Sequence, residues 1–308
     1  MIDEWVVGTL SRTLAYGTPL LLATLGEIYS ERSGVLNLGV EGMMILGAVS
    51  AFATAFITGN PWLGMLFAGL AGAVASLVHG FVSITLRANQ VVSGLALTMA
   101  GLGLSGLFGK GFEGEPLDAT ISNISVPVLK EIPYLGDILF VDQNPIVYIA
   151  LAITPVLSFV LFHTSIGITI RSVGENPSAA DSSGINVWLV RYLCVAFGGV
   201  LAGFAGGYLS IAYRPAWTQG MTNGMGWLVI ALTIFASWNP SRGLFGAFLF
   251  GALMHLSYRL QPWVAPELLK MMPYGAAILA LVVLSFGTLK KNMGAPNALQ
   301  QPYRRGEK

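Results

Sequence analysis

Charge is what this 308-residue sequence has least of. Asp, Glu, Lys and Arg make up 10% of it, against about 25% in soluble domains, too few to clothe a water-facing surface. The single cysteine, Cys194, lies in an apolar run, which excludes an internal disulfide or a cysteine-based metal site. His79, His163 and His255 are scattered without ligand spacing, and no Ser/His/Asp arrangement can be argued. A Walker A motif is missing too. The nearest stretch, "GLFGKG" at 106–111, has Leu104 where the first glycine would fall and Gly111 where a magnesium-binding Ser or Thr is needed. The first residues, "MIDEWVVGTL", are acidic rather than basic. They do not resemble a cleaved targeting segment, so the first hydrophobic helix is expected to act as its own insertion signal.

What fills the sequence instead is apolar. Hydrophobic residues reach 54% and mean hydropathy is +0.69, which predicts an all-α polytopic membrane protein. A spanning helix takes about 20 apolar residues, and nine such segments are expected at roughly 9–27, 34–58, 61–86, 91–109, 145–163, 188–212, 225–238, 242–258 and 272–289. The seventh is short and is expected to be re-entrant or tilted. These segments form one membrane domain over 1–290. It is interrupted by an acidic loop at 110–143 and a polar segment at 164–187, and followed by a basic tail at 291–308 that carries Arg304, Arg305 and Lys308 beyond Lys290 and Lys291. Basic residues favour the cytoplasm. The tail is therefore placed inside, which puts 164–187 inside and 110–143 outside. On this count ten of the 16 Lys and Arg are cytoplasmic, five are external and Arg12 lies within the first span.

Small residues recur every four positions: Gly64, Ala68, Gly72, Ser76 and Gly80; Gly101, Ser105 and Gly109; Gly199, Gly203 and Gly207. That spacing lets helix backbones approach closely inside a membrane. A denser puzzle is "GEIYSERSGVLNLGVEGMMILG", where Glu27, Glu31, Arg32 and Glu41 cluster among glycines. Glu27 and Glu31 are spaced to share a helix face, Arg32 is expected to pair with one of them, and "ERSG" reads as a turn at the membrane end. Asn37 and Glu41 are then expected to face the protein interior. The segment "TSIGITIRSVGENPSAADSSGIN" contains a helix start, with Asn176 as cap and Pro177 in the first turn, and a stop at Gly184.

Thr164, Gly167, Arg171, Gly174, Asn176, Pro177, Ala179, Ala180, Gly184 and Ile185 resemble the cytoplasmic motif of the branched-chain amino acid and simple-sugar ABC permeases. "ERSGVLNLGVEGMMILGA" at 31–48 and "GWLVIALTIFASWNPSRGLFGAFLFG" at 226–251 are similar to the nucleoside-importing permeases that work with a basic-membrane-protein-type lipoprotein. The resemblance covers residues 11–290. It departs at Ala236 and Ser237, where related chains often have glycine and then a basic or small residue.

The resemblance implies a type II ABC importer permease fold in the bacterial cytoplasmic membrane. It implies a cytoplasmic ATPase, a second and longer permease chain, and an external substrate-binding lipoprotein as partners, with lipid around the chain and no nucleic acid. ATP and magnesium would sit on the ATPase, and this chain would bind no cofactor and catalyse nothing. Arg171, Gly174, Glu175, Asn176, Pro177, Ala179, Ala180 and Gly184 would form the ATPase-coupling helix. Candidates for a nucleoside pathway are Asn37, Glu41, Asn89, Gln90, Thr98, Trp217, Asn223 and Trp227, with Tyr213 available for stacking. Asn89 and Gln90 serve equally well as loop caps. A simple sugar or a branched-chain amino acid in the same machine is the first alternative. An ion-coupled secondary transporter is the second, and a membrane-bound enzyme is a distant third.

Overall fold

The computed structural model describes residues 2–284 and 294–305. Lys290, Lys291, Lys308 and the end of the ninth expected span lie outside the described residues. Twelve α-helices are described: α1 Ile2–Arg32, α2 Val40–Thr58, α3 Pro61–Gly80, α4 Gln90–Gly109, α5 Leu135–Leu139, α6 Pro145–His163, α7 Ser165–Glu175, α8 Pro177–Ser182, α9 Val187–Tyr208, α10 Met225–Phe235, α11 Pro240–Arg259 and α12 Pro266–Leu284. Among the described residues the only strand-like pairing is three isolated bridges in loops.

The long helices start where the sequence supplies a cap. Asn60, Asn89, Asn144, Asn186 and Asn239 each accept a hydrogen bond from a backbone N–H of the first turn, and proline follows three of them, at Pro61, Pro145 and Pro240. α2, α3, α4, α6 and α9, counted with short extensions, are long and apolar enough to cross a membrane. Both α3 and α9 end in a turn of π-helix, Phe81–Thr85 and Leu209–Tyr213. The 11-residue α10 rises only about 16 Å, half the thickness of a bilayer core. It is a half-span, as its short apolar run suggests.

α1, α2, α3 and α9 make the centre of the bundle. Their seams are the small-residue stripes. A Cβ on Gly72 would collide with the Gly199 carbonyl oxygen, one on Gly203 with that of Ala68, and one on Gly206 with that of Met44. Water is absent on the lipid side, so close dispersion contact between backbones replaces the hydrophobic effect. One end of the bundle carries residues 110–144 and the first turns of α1, where Gln143 donates to the Ser11 carbonyl and hydroxyl. The other end carries the α1 C-terminus, α7, α8 and the 294–305 tail. They are called the loop end and the tail end.

Candidate functional site: a broken helix and the segment beneath it

Residues 33–39 join α1 to α2 without a helical hydrogen-bond ladder, and most of them are buried. Non-helical backbone at membrane depth must find other partners for its polar groups. Here side chains supply them. Arg191 Nε donates to the Ser33 carbonyl, 3.2 Å, and Ser30 Oγ to that of Val35, 3.1 Å. Gln90 Oε1 accepts from the Leu36 N–H, 2.8 Å, and Glu27 Oε1 from the Asn37 N–H, 3.1 Å. His79 Nε2 lies 3.0 Å from the Leu36 carbonyl oxygen, and Thr98 Oγ1 donates to that of Leu38, 2.9 Å. Asn37 Oδ1 takes the Gly39 N–H, 2.9 Å, just before α2 begins. Glu27, Ser30, His79, Gln90, Thr98 and Arg191, buried in α1, α3, α4 and α9, thus have a common use: they solvate one broken segment.

Glu41 closes the break. Its Oε1 accepts from Thr222 Oγ1, 2.6 Å, and the Gly224 N–H, 2.9 Å; its Oε2 accepts from the Gly226 N–H, 2.6 Å. Gly224 and Gly226 begin α10, so the carboxylate in the first turn of α2 sits against the positive end of a second helix. Gly226 is required here, because a Cβ would strike the Glu41 backbone nitrogen. The depth follows from helix rise. Gly42 packs on Gly101, about 16 Å into α4 from the tail end, and Gly226 lies about 14 Å from the last residue of α10. The starts of α2 and of the half-span α10 therefore lie together near mid-depth, tied by one carboxylate.

The other end of α10 is tied to α1. Ser237 and Trp238 both have left-handed backbone, φ 51° and 54°, which non-glycine residues adopt at a cost. Arg32 holds them, Nε donating to the Trp238 carbonyl, 3.0 Å, and Nη2 to that of Ser237, 3.3 Å, while Glu31 Oε2 accepts from the Trp238 indole N–H. This corrects one expectation: Arg32 serves backbone carbonyls rather than Glu27 or Glu31, and both glutamates are almost fully buried in the protein. The Ser237 and Trp238 carbonyls lie in the turn after α10, and the arginine is used there.

In the polar segment, α8 starts and stops where expected. Asn176 Oδ1 accepts from the Ala179 N–H, 3.0 Å, and Gly184 has φ 86°. The sequence reading missed α7, which Thr164 caps from the preceding turn. Asn176, Ser178, Ala179 and Gly184 are exposed, and Pro177 is partly so. Ala180 and Gly174 are buried. Ala180 packs with Val173, Val187 and Tyr303 of the tail, and a Cβ on Gly174 would collide with the Arg32 carbonyl oxygen. Arg171 stacks over Phe162, 5.5 Å from the ring centre, and Glu175 accepts from the Asn297 side-chain amide, 2.9 Å. The free face of α8 and its caps is therefore made by Asn176, Ser178, Ala179, Ser182 and Ser183, and Ala180 belongs to the other face. Tyr303 and the tail's role there carried no signal in the sequence beyond net charge.

The remaining sequence candidates separate into two groups. Asn37, Gln90 and Thr98 are buried on the broken segment, Asn89 caps α4 through the Val92 N–H, 3.1 Å, and Trp217 is buried against Gly109. Asn223 and Trp227 are exposed, and they flank the Glu41 junction. Tyr274 of α12, also exposed, places its hydroxyl 3.4 Å from the Gly224 carbonyl oxygen. Beside them a cavity of about 230 Å³ is lined by Asn223, Gln219, Arg214, Tyr16, Tyr213 and Tyr258. Tyr16 and Tyr213 meet edge to face, 5.0 Å between ring centres. This patch offers flat aromatic faces next to amides.

Residues 9–283 match the family described as the permease component of the branched-chain amino acid transport system, and the chain belongs to that family. It is a multi-pass membrane permease of an ABC transporter, a machine whose ATP hydrolysis belongs to a partner ATPase and whose solute comes from a binding protein. Two relatives match almost end to end. The "Putative glucose ABC transporter permease protein TsgC13" of Haloferax volcanii is 39% identical over 98% of this chain and 99% of its own. The guanosine ABC transporter permease protein NupQ of Bacillus subtilis is 36% identical over 96% of each. A solved structure described as "an inward-facing conformation of a putative metal-chelate type ABC transporter" shares the fold, with a TM-score of 0.52 over 90% of this chain and 85% of that one, at 14% identity.

Proposed function

We propose that the chain is one of two permease subunits of an ATP-driven importer of nucleosides. The observation that carries the substrate is the exposed patch of Asn223, Trp227 and Tyr274 near mid-depth, in a chain whose relative NupQ is named for guanosine. Aromatic faces suit a flat base and amides suit a ribose. Helix starts at a break near the midplane are where transporters commonly hold solute. Asn37, Glu41, Gln90 and Thr98 act behind this patch, keeping the break in place, and Asn89 and Trp217 support its flanks.

The tail end faces the cytoplasm, the 110–143 loop faces outward, and the membrane is a bacterial cytoplasmic one. On this reading α8 is the coupling helix, and its Asn176, Ser178 and Ala179 face enters the ATPase. ATP and magnesium stay on that subunit. The second permease is a different, longer chain, and the solute is handed over by an external lipoprotein.

The TsgC13 match favours one further reading, glucose or another simple sugar in the same machine. Uptake of radiolabelled guanosine by the assembled transporter, with glucose, ribose and leucine as competitors, separates them. Competition by nucleosides alone supports the proposal. Uptake blocked by glucose but not by adenosine replaces it with the sugar reading. Loss of uptake in Trp227→Ala with normal ATPase retention would place the patch on the pathway.

A further inference from the structure

The tail after the last helix binds the tail end of the bundle at five places. The Arg32 Nη1 donates to the Gly294 carbonyl, 3.3 Å, and the Ala298 N–H to the carbonyl of Gly174, 2.9 Å. Asn297 donates to Glu175, Arg191 Nη1 to the Gln301 carbonyl, 3.2 Å, and Arg305 pairs with Asp181, 3.1 Å. Between these points Tyr303 is inserted among Val173, Ala180 and Val187 and is only 7% exposed. Burial, and then the Asp181 carboxylate beside it, push the Tyr303 phenol above its ordinary value. A 12-residue segment thus fastens α1, α7, α8 and the start of α9 to one another, with Tyr303 as its only deeply buried aromatic.

The same segment shapes the surface around α8. A cavity of about 460 Å³ opens between Asn176, Pro177 and Ser178 of α8 and Asn297, Gln301 and Pro302 of the tail. A second, of about 490 Å³, opens on the other side of Tyr303 between Asp181, Asn186, Trp188 and Arg305. The exposed face of α8 and its caps is small, made by Asn176, Ser178, Ala179, Ser182 and Ser183. The tail supplies most of the wall of the first hollow and Tyr303 and Arg305 of the second, so a protein that fills either hollow while gripping α8 touches the tail as well.

We propose that residues 294–305 are part of the ATPase-docking surface, with Tyr303 as the positioning residue that pins the tail to α8. This rests on the reading of α8 as the coupling helix. The partner is the ATPase subunit of the transporter, gripping α8 and the tail together. Closure of the ATPase then moves α8, α9 and α1 as one block, because the tail ties them, and the pull reaches the broken segment through Arg191 and the turn after α10 through Arg32.

The test uses the assembled transporter in detergent and in proteoliposomes, reading ATPase retained on the purified permease and hydrolysis stimulated by the loaded binding protein. In Tyr303→Ala, retention is expected to fall at least fivefold or stimulation to disappear, while Tyr303→Phe, which keeps the ring, behaves as the parent. A Tyr303→Ala transporter that retains and couples its ATPase normally overturns the proposal. If that variant is not monodisperse, the exposed pair decides. Asp181→Arg is expected to weaken retention two- to fivefold and Arg305→Asp in the same chain to restore it; no restoration overturns the proposal. Ser178→Trp on the free face of α8 separates the two levels. If Ser178→Trp releases the ATPase and the tail variants do not, only the tail proposal fails. If none of them does, the coupling-helix reading fails with it.

Discussion

Replacing Glu41 by Gln changes few atoms and tests the junction directly. The carboxylate is 4% exposed and accepts three hydrogen bonds, two on Oε1 and one on Oε2. An amide has one acceptor oxygen. With that oxygen kept on Thr222 and Gly224, its NH₂ faces the Gly226 N–H, donor against donor. A hydrogen bond to a charged group is worth about 1.5–3 kcal/mol, and leaving a buried N–H unpaired costs about 1–3 kcal/mol more. Loss of the charge at the α10 N-terminus adds up to about 2 kcal/mol. Against these stands the relief from no longer burying an anion, which is several kcal/mol in a dry site. The expected net loss is about 2–4 kcal/mol, near the upper end of single substitutions. Glu41→Ala should cost more, and Glu41→Asp should resemble Gln, because its shorter arm cannot reach both Gly224 and Gly226. The assay is thermal unfolding of the purified permease in one detergent, followed by monodisperse fraction on size exclusion, beside guanosine uptake. Glu41→Gln that unfolds within experimental error of the parent and still transports would refute the idea that this carboxylate holds the starts of α2 and α10 together.

Gln90→Ala strips the Leu36 N–H of its partner, and a stability loss of about 1–3 kcal/mol should appear in the same unfolding assay, whereas Asn89→Ala, a cap at an exposed helix start, should cost only about 1 kcal/mol. Gly203→Leu drives a side chain into the Ala68 carbonyl and should abolish a stable, monodisperse permease; normal yield would mean that α3 and α9 do not pack so closely. Ser237→Gly removes the penalty of a left-handed serine and should stabilise by about 1 kcal/mol, visible as a higher unfolding temperature with transport unchanged.

The amino-acid sequence by itself determined the class of the molecule. Little charge and long apolar runs leave no solvent but lipid for most of the surface, and four-residue glycine spacing specifies close seams whatever the partner helix. Asn-Pro at helix starts fixes boundaries locally, so Asn176 was legible, and the same signal stands at Asn60, Asn144 and Asn239. The family motif at 164–185 was legible for the same reason, as a contiguous string. Where side chains are used was not. Gln90 and Thr98 look like pathway residues in a span, and only the tertiary structure brings them, across more than fifty positions, to the carbonyls and N–H groups of a broken segment. Glu41 and the start of α10 are over 180 residues apart, and no local pattern links an acid in one helix to the orphan donors of another. Ala180 reads as a small surface residue until the tail is folded over it. Hydrogen bonds to non-helical backbone in a membrane are obligatory but blind to sequence distance, so the need for partners was fixed in advance and their identity was decided by packing.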